Sequence, residues 1–262
     1  GLIKALRKEG FKAFWTQLNG GFLLVLFAGI ATSILSLASL IQFLLSQHEI
    51  LLWSFFFGLI IASVWLVGKQ VEKWNATTVI GLIAGTIVAY LITLATPTGG
   101  SENLLYIFVC GMIAITAMIL PGISGSFILL LLGAYTTALG ALSDLNLTLI
   151  GVFAAGCLTG LISFSKILNW LFKKVHDLTV AILTGFLVGS LNKIWPWKET
   201  LETFTKHAGE PNEKVIPIVQ QNILPSTFAD LNQVESLFLP AFGLAVVGLI
   251  LIVLLDRFSP KA

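Results

Sequence analysis

The run Pro121, Gly122, Ile123, Ser124, Gly125, Ser126 holds the residues of this chain best suited to grip a ligand, because it interrupts nearly forty otherwise apolar residues. Backbone left unpaired in hydrocarbon costs several kcal/mol per group, so a break persists at membrane depth only where protein covers it or a wet cavity lines it. The chemistry on offer is anion binding. Pro121 ends one helix, 104–120, and a second, 127–142, opens with free N–H groups and the positive end of its dipole. Ser124 or Ser126 caps that turn. Gly122 and Gly125 let successive N–H groups face a phosphate or carboxylate without a side-chain cation. The competing reading of the same residues is a tightly turned helix pair that holds nothing.

Lys166 is the cation set well inside a predicted span, between Ser163 and Ser165. It falls about 27 Å along that span at 1.5 Å per residue, which suits either a side chain snorkelling to the interface or an inward phosphate contact. The candidate substrate-binding set is therefore Pro121, Gly122, Ser124, Gly125, Ser126 and Lys166. Cys110 and Cys157 lie inside apolar runs with no metal spacing beside them, so no cofactor or metal and no disulfide is expected.

These residues need a membrane scaffold, and the composition supplies one. The 262 residues are 56% apolar and 11% charged, with a mean hydropathy of +0.95. A soluble domain would carry about a quarter charged residues. The chain reads as an all-α polytopic membrane protein, a single transmembrane domain over 1–262 with no basic tract for nucleic acid. Eight apolar segments are expected, at 21–45, 50–68, 77–96, 104–120, 127–142, 147–172, 178–194 and 236–255. An amphipathic lead over 1–19 is expected to lie at the membrane surface.

Lys and Arg in the short loops set the orientation if all eight segments cross. One face receives the N-terminal basic group, Lys69, Lys73, Lys173, Lys174, Arg257 and Lys261, and is predicted to be cytoplasmic. The other receives an extracytoplasmic loop over 196–234, expected to be partly helical and without a core. Trp65, Trp74 and Trp170 would form an aromatic belt at the basic face, and Trp53, Trp195 and Trp197 one opposite.

Sliding the chain 127 positions along itself aligns Ala28-Gly29 with Ala155-Gly156, Leu44 with Leu171, Gly58 with Gly185 and Ser63 with Ser190. Weak internal similarity of this kind marks transporter repeats, and an odd number of crossings between copies makes them inverted. The broken element has no first copy within the chain, so an earlier natural start, with the first repeat truncated here, is expected.

The stretch from Gly111 to Phe127, followed by Gly133-Ala134-Tyr135, resembles the bacterial and archaeal polyprenyl-phosphate transporters, long catalogued as a membrane domain of unknown function. Phe56 to Ile60 and Gly185 to Leu191 resemble that family's paired glycine-containing spans, so the likeness covers essentially the whole chain. It implies a multi-pass protein of the cytoplasmic membrane that returns undecaprenyl phosphate, the carrier lipid of envelope glycan synthesis, to the inner leaflet. The implied partner is a membrane lipid. The family also carries an earlier Pro-Gly-x-Ser-Gly-Gly element that this chain lacks. Oligomeric state is left open by the residues.

Two other functions compete. A channel or carrier for a small soluble anion would use the same cradle but needs a continuous polar path, and the small hydroxyls present serve equally as helix-packing positions. The Gly122-Ile123-Ser124-Gly125 pattern also matches the nucleophile of rhomboid-like intramembrane proteases. That serine needs a base, whereas His48, His176 and His207 all fall in predicted loops. A transporter rather than an enzyme is expected.

Overall fold

The computed structural model describes residues 15–16, 19–97, 99–206 and 214–258. Most of the expected amphipathic lead, and His207, lie outside them. The chain divides into two compact units, residues 1–52 and 53–262. Helix α1, Gly20–Gln47, lies in the first, and α2, Glu49–Gly68, begins there. The second unit continues with α3 (Ala76–Leu94), α4 (Leu104–Ile119), α5 (Gly125–Leu131), α6 (Tyr135–Ser143), α7 (Leu147–Lys174) and α8 (His176–Ile194). Strands β1 (Lys198–Lys206) and β2 (Lys214–Asn222), then α9 (Pro225–Asn232) and α10 (Phe238–Phe258), complete it. The architecture is all-α and polytopic: α1, α2, α3, α7, α8 and α10 are each long and apolar enough to cross a bilayer.

Helix boundaries follow capping chemistry. Asn75 accepts from Thr78 N–H while Thr78 Oγ1 accepts from Asn75 N–H, a reciprocal box that starts α3. Asn103 and Asn146 cap α4 and α7 one way only, their side-chain oxygens accepting from Leu105 and Leu149 N–H. At one end of the bundle the carboxylate of Asp177 accepts from the N–H groups of Glu72 and Lys73, at 3.2 and 3.0 Å, tying the α2–α3 turn to the start of α8. Lys69 reaches Asp256 at 4.0 Å there, and its ammonium stands 3.2 Å from the Trp65 ring centre. Lys174 covers Trp170. We call this the basic end.

The opposite end is closed by the two strands, which pair antiparallel. The 196–234 segment is partly helical as expected, through α9, and also holds this strand pair, which was not foreseen from sequence. Three threonines in β1 and four valines and isoleucines in β2 favour extended chain, and Pro217 is tolerated because each strand of a two-stranded ribbon is an edge. The stem is bolted down by Trp195 Nε1 donating to Ile223 O, Trp197 Nε1 donating to Ser236 O, and ring contacts from Phe57 through Trp195 and Trp197 to Phe238. Trp197 is therefore buried under the hairpin and not in a lipid-facing belt. Trp65, Trp74 and Trp170 are exposed as a belt requires.

The segment expected as one helix over 127–142 is two, α5 and α6, bent by 109°. Gly133, at φ 63°, makes the turn possible. The hydroxyl of Tyr106, near the start of α4, donates to Leu132 O at the end of α5, and Gly125 at the start of α5 lies against Ala114 and Met118 near the end of α4. The two helices are thus antiparallel neighbours joined at 120–124. α4 and α5 form a hairpin at the Pro-Gly-Ile-Ser-Gly break, the arrangement of a broken, re-entrant helix pair.

The 127-residue register reappears in three dimensions. α1 and α7 are both 28 residues long and start at Gly20 and Leu147. Each ends in a one-residue break, His48 (φ −140°, ψ 42°) and Val175 (φ −141°, ψ 55°), whose N–H donates to Leu44 O and Leu171 O respectively. α2 and α8 then start at Glu49 and His176. A Cβ on Gly185 would overlap Leu82 O, and one on Gly85 would overlap Ile182 O, so α3 and α8 touch backbone to backbone. Gly58 meets Ala245 O and Gly248 meets Phe55 O in the same manner between α2 and α10. The second set is the first with α8 shifted by 127 residues to α2 and α3 shifted by 163 to α10. The difference, 36 residues, is taken up by the hairpin and α9.

Single cysteines at Gln70 and Thr200, in a background without Cys110 and Cys157, are expected to label from opposite faces of the membrane. Ile123→Cys, at the re-entrant tip, should react much more slowly than Gln70→Cys with a charged maleimide added from the Gln70 side. Equal rates would turn the α4–α5 hairpin back into a crossing pair. Gly185→Leu should lower stability by more than the ~1–3 kcal/mol typical of core overpacking, measured by thermal unfolding in detergent.

Candidate functional site

The site is built on the tip of the re-entrant hairpin. Leu120 leaves α4 in an extended conformation because Pro121 follows, and Gly122 turns the chain at φ 84°. Ser124 is the N-cap of α5: its Oγ accepts from Phe127 N–H at 3.5 Å and lies 2.9 Å from Ser126 Oγ. Both hydroxyls are exposed and sit side by side.

α8 backs the tip. A Cβ at Gly122 would stand 2.6 Å from Ser190 Oγ and 3.2 Å from Phe186 O, so the turn is seated on α8 without room for a side chain. Phe186 and Ser190 lie 10 and 14 residues beyond His176, or about 15–21 Å from the basic end at 1.5 Å per residue. The tip therefore stands near the middle of a ~30 Å hydrocarbon layer. Ser190 itself is buried and donates to Leu187 O at 2.8 Å.

Further along the same face, Lys193 Nζ lies 4.7 Å from the centre of the Phe127 ring, over the first turn of α5. Phe186, Ser190 and Lys193 follow helical spacing, so one stripe of α8 carries a carbonyl, a hydroxyl and an ammonium past the break. Lys193 was not singled out by sequence. It sits one residue from the end of its span, where a lysine reads as an interface anchor, and only the position of Phe127 reveals what it faces.

A cavity of about 410 Å³ opens beside the serines, lined by Ser124 and Ser126 and otherwise by apolar side chains including Met118, Leu129 and Phe153. A hydroxyl pair at the head of an apolar groove matches an amphiphile with a small polar head and a hydrocarbon tail.

The structure brings Pro121, Gly122, Ser124, Gly125 and Ser126 into one turn. It does not bring Lys166 there. Lys166 is exposed on α7, nine residues or about 13 Å beyond Cys157, the α7 residue that lines the serine cavity. Gly122 takes the positive φ that the turn requires, and both glycines pack closely: Ser190 stands where a Cβ on Gly122 would lie, and Met118 and Ala114 O where one on Gly125 would. Because α5 has only seven residues, its dipole is short, and a nearby cation gains importance. Among the described residues Ser124 meets no base. His176 is at the basic end against Phe172 and Asp177.

Six helices able to span, together with a hydroxyl-bearing break between α4 and α5, fit a membrane transporter of the discontinuous-helix kind. Comparison with known proteins sharpens that class. Residues 1–212 match the family model described as undecaprenyl phosphate translocase-like, and the chain belongs to that family. It is 44% identical over 260 residues to a polyprenyl-phosphate transporter of Vibrio cholerae serotype O1, a match covering 99% of this chain and 83% of that one. It is 36% identical over 203 residues to a polyprenyl-phosphate transporter of Staphylococcus aureus, covering 71% of each. No solved structure matches.

Gly125→Val is expected to destabilise the fold by about 1–3 kcal/mol by driving Met118 out of place, whereas Ser124→Ala should cost about 1 kcal/mol through loss of the cap. Thermal unfolding of the purified variants reads both. A Gly125→Val protein as stable as its parent would detach this glycine from the α4 contact.

Proposed function

We propose that this protein translocates undecaprenyl phosphate or a related polyprenyl phosphate across the cytoplasmic membrane, recycling the carrier lipid of envelope glycan synthesis. The observation that carries this reading is the paired hydroxyl tip, held at mid-membrane depth beside an apolar groove, in a chain of the translocase-like family. A soluble anion would have no use for the groove. A polyprenyl phosphate fills both halves, with its isoprenoid tail against Met118, Leu129 and Phe153 and its phosphate at Ser124 and Ser126.

The headgroup needs donors that are strong enough to accept it from water and weak enough to release it. Hydroxyl and backbone donors to a charged oxygen are worth roughly 1.5–3 kcal/mol each, so two or three offset part of the dehydration cost without trapping the ligand. The matched boundaries of α1 with α7 and of α2 with α8, and the reciprocal glycine contacts, favour two related halves. We read these as inverted, because α1, α2 and α3, three crossings, separate the starts of the copies once α4 and α5 are counted as re-entrant. Such an arrangement lets one site be reached from either side. The basic end is the cytoplasmic one on the same reading, and the 196–234 segment is extracytoplasmic. Lys166, toward the basic end of α7, then serves as an interface anchor or an inward contact after the tip has been passed.

Purified protein in liposomes should move undecaprenyl phosphate between leaflets and leave inorganic phosphate gradients intact. The Ser124→Ala/Ser126→Ala double variant, correctly inserted, should move the lipid about tenfold more slowly, equivalent to about 1.4 kcal/mol. Phosphate flux without lipid movement would replace this reading with a soluble-anion carrier.

A further inference from the structure

The apolar wall of the serine cavity does not close it off. A second cavity, of about 310 Å³, adjoins the first across Leu129 and Phe153, which line both. Its remaining walls are α6, through Ala138, Ala141 and Leu142, and the first two turns of α7. Among its lining residues only Tyr135 and Thr137 carry a side-chain hydroxyl.

The opening is built into the fold. α5 ends in a pair of reversed hydrogen bonds, Ala134 N–H to Leu129 O at 2.9 Å and Gly133 N–H to Leu130 O at 3.0 Å, made possible by Gly133 at φ 63°. Beside them the Tyr106 hydroxyl donates to Leu132 O, and Ala134 is buried against Ile107 and Cys110. These contacts set the 109° bend, so α6 roofs the space beside α7 instead of continuing the line of α5. The side chains that α6 turns toward that space include two alanines, Ala138 and Ala141, too small to fill it. Close-packed interiors leave few voids larger than a water molecule, and water finds almost no partner on these walls. Hydrocarbon is the occupant that the lining suits.

The groove has a direction. On α4 the two cavities run from Met118, beside the tip, to Ile107, eleven residues or about 16 Å nearer the start of the helix. On α7 they run from Cys157 to Leu149, again toward the start. Because α7 finishes at the basic end with Lys173 and Lys174, the groove leads away from that end. Its far rim is open to lipid, where Leu142 is 58% exposed. The serine hydroxyls stand at one end of this lane and apolar side chains line the rest of it, so it matches one hydrocarbon chain with one small head. A glycerophospholipid brings two chains.

Resting on the transport reading above, we propose that the two cavities form one seat for the head-proximal isoprene units of the carrier lipid, with the phosphate at Ser124 and Ser126 and the chain running past Leu129 and Phe153 beneath α6. The remainder of the chain leaves over Leu142 into the bilayer. A lipid seated this way points its head toward the basic end and its tail away from it, which is the polarity of the leaflet at the basic end. The seat thus serves the half of the transport cycle that exchanges lipid with that leaflet.

A thiol in each cavity tests this. Cys157 lines the serine cavity and Ala154 the second one, so Ala154→Cys in a background of Cys110→Ala and Cys157→Ala is compared with a protein that keeps Cys157 alone. The purified full chain in detergent is treated with N-ethylmaleimide in the presence of geranyl phosphate, geranylgeranyl phosphate or phosphatidylglycerol. Geranylgeranyl phosphate, at about ten times its Kd, should slow both thiols about tenfold. Geranyl phosphate, with its shorter chain, should slow Cys157 much more than the thiol of Ala154→Cys. In liposomes Ala138→Trp, which fills the second cavity from α6, should slow undecaprenyl phosphate movement about tenfold. Gel filtration and thermal unfolding establish that each variant is folded, and if Ala138→Trp is not, the thiol footprint decides alone. Geranylgeranyl phosphate that shields Cys157 but leaves Ala154→Cys reacting at its unliganded rate overturns the seat for the chain, and the transport reading stands if lipid still moves in the parent protein. Phosphatidylglycerol shielding Ala154→Cys as well as geranylgeranyl phosphate does also overturns it, because the groove would then hold any membrane chain. A parent protein that moves no undecaprenyl phosphate overturns the transport reading instead, whatever the footprint shows.

Discussion

Helices in lipid gain nothing by hiding apolar surface from one another, so this fold depends on how closely their backbones can approach. Glycine sets that distance. Gly85 and Gly185 bring α3 and α8 together, Gly58 and Gly248 bring α2 and α10 together, and Gly111, Gly156 and Gly160 bring α4 against α7. The last contact holds the re-entrant hairpin in place, because α5 is too short to anchor itself. With α4 fixed on α7, the chain can turn at Gly122 and rest on Ser190 of α8.

Polarity is graded along the face of α8 that this hairpin touches. Near the hairpin end stand the ammonium groups of Lys193 and Lys198. At mid-depth only hydroxyls and backbone remain, from Ser124, Ser126 and Ser190. A cation buried at the centre would bind a phosphate too firmly for passage, and a centre without donors would bar it. The ring face of Phe127, in the first turn of α5, is occupied by Lys193.

Much of this was legible in the sequence. Twenty-residue apolar runs identify the spanning helices, and Pro121 followed by Gly122 marks the break because proline cannot continue a helix in lipid. The bend at residues 132–134 carries no proline. Its only local sign is Gly133, and an apolar run that could be one helix conceals two. Charge was legible as topology but not as chemistry: Lys193 counts as one more interfacial lysine until α5 is seen folding back to it. The strands were hidden by Pro217 and by the acids Glu199 and Glu202, and the register shifts on either side of Glu202 break the alternation that would mark a strand. The glycines of the break were legible as conformational freedom, which Gly122 uses at φ 84°, but not as contacts: only the structure shows Ser190 and Met118 against them.

The pairing of α2 with α10 and of α3 with α8 means that neither half of the chain closes on itself: each lends a helix to the other. Biosynthesis feels this directly. Gly58 leaves the ribosome 187 residues ahead of Ala245, the residue it rests on, which at ~5–20 residues per second is a wait of about 10–40 s. During that interval the glycine face of α2 has only lipid or another membrane component to lie against. A helix made late is thus the one that locks a helix made early, and loss of the α10 glycine contact at Gly248 would be felt nearly two hundred residues upstream.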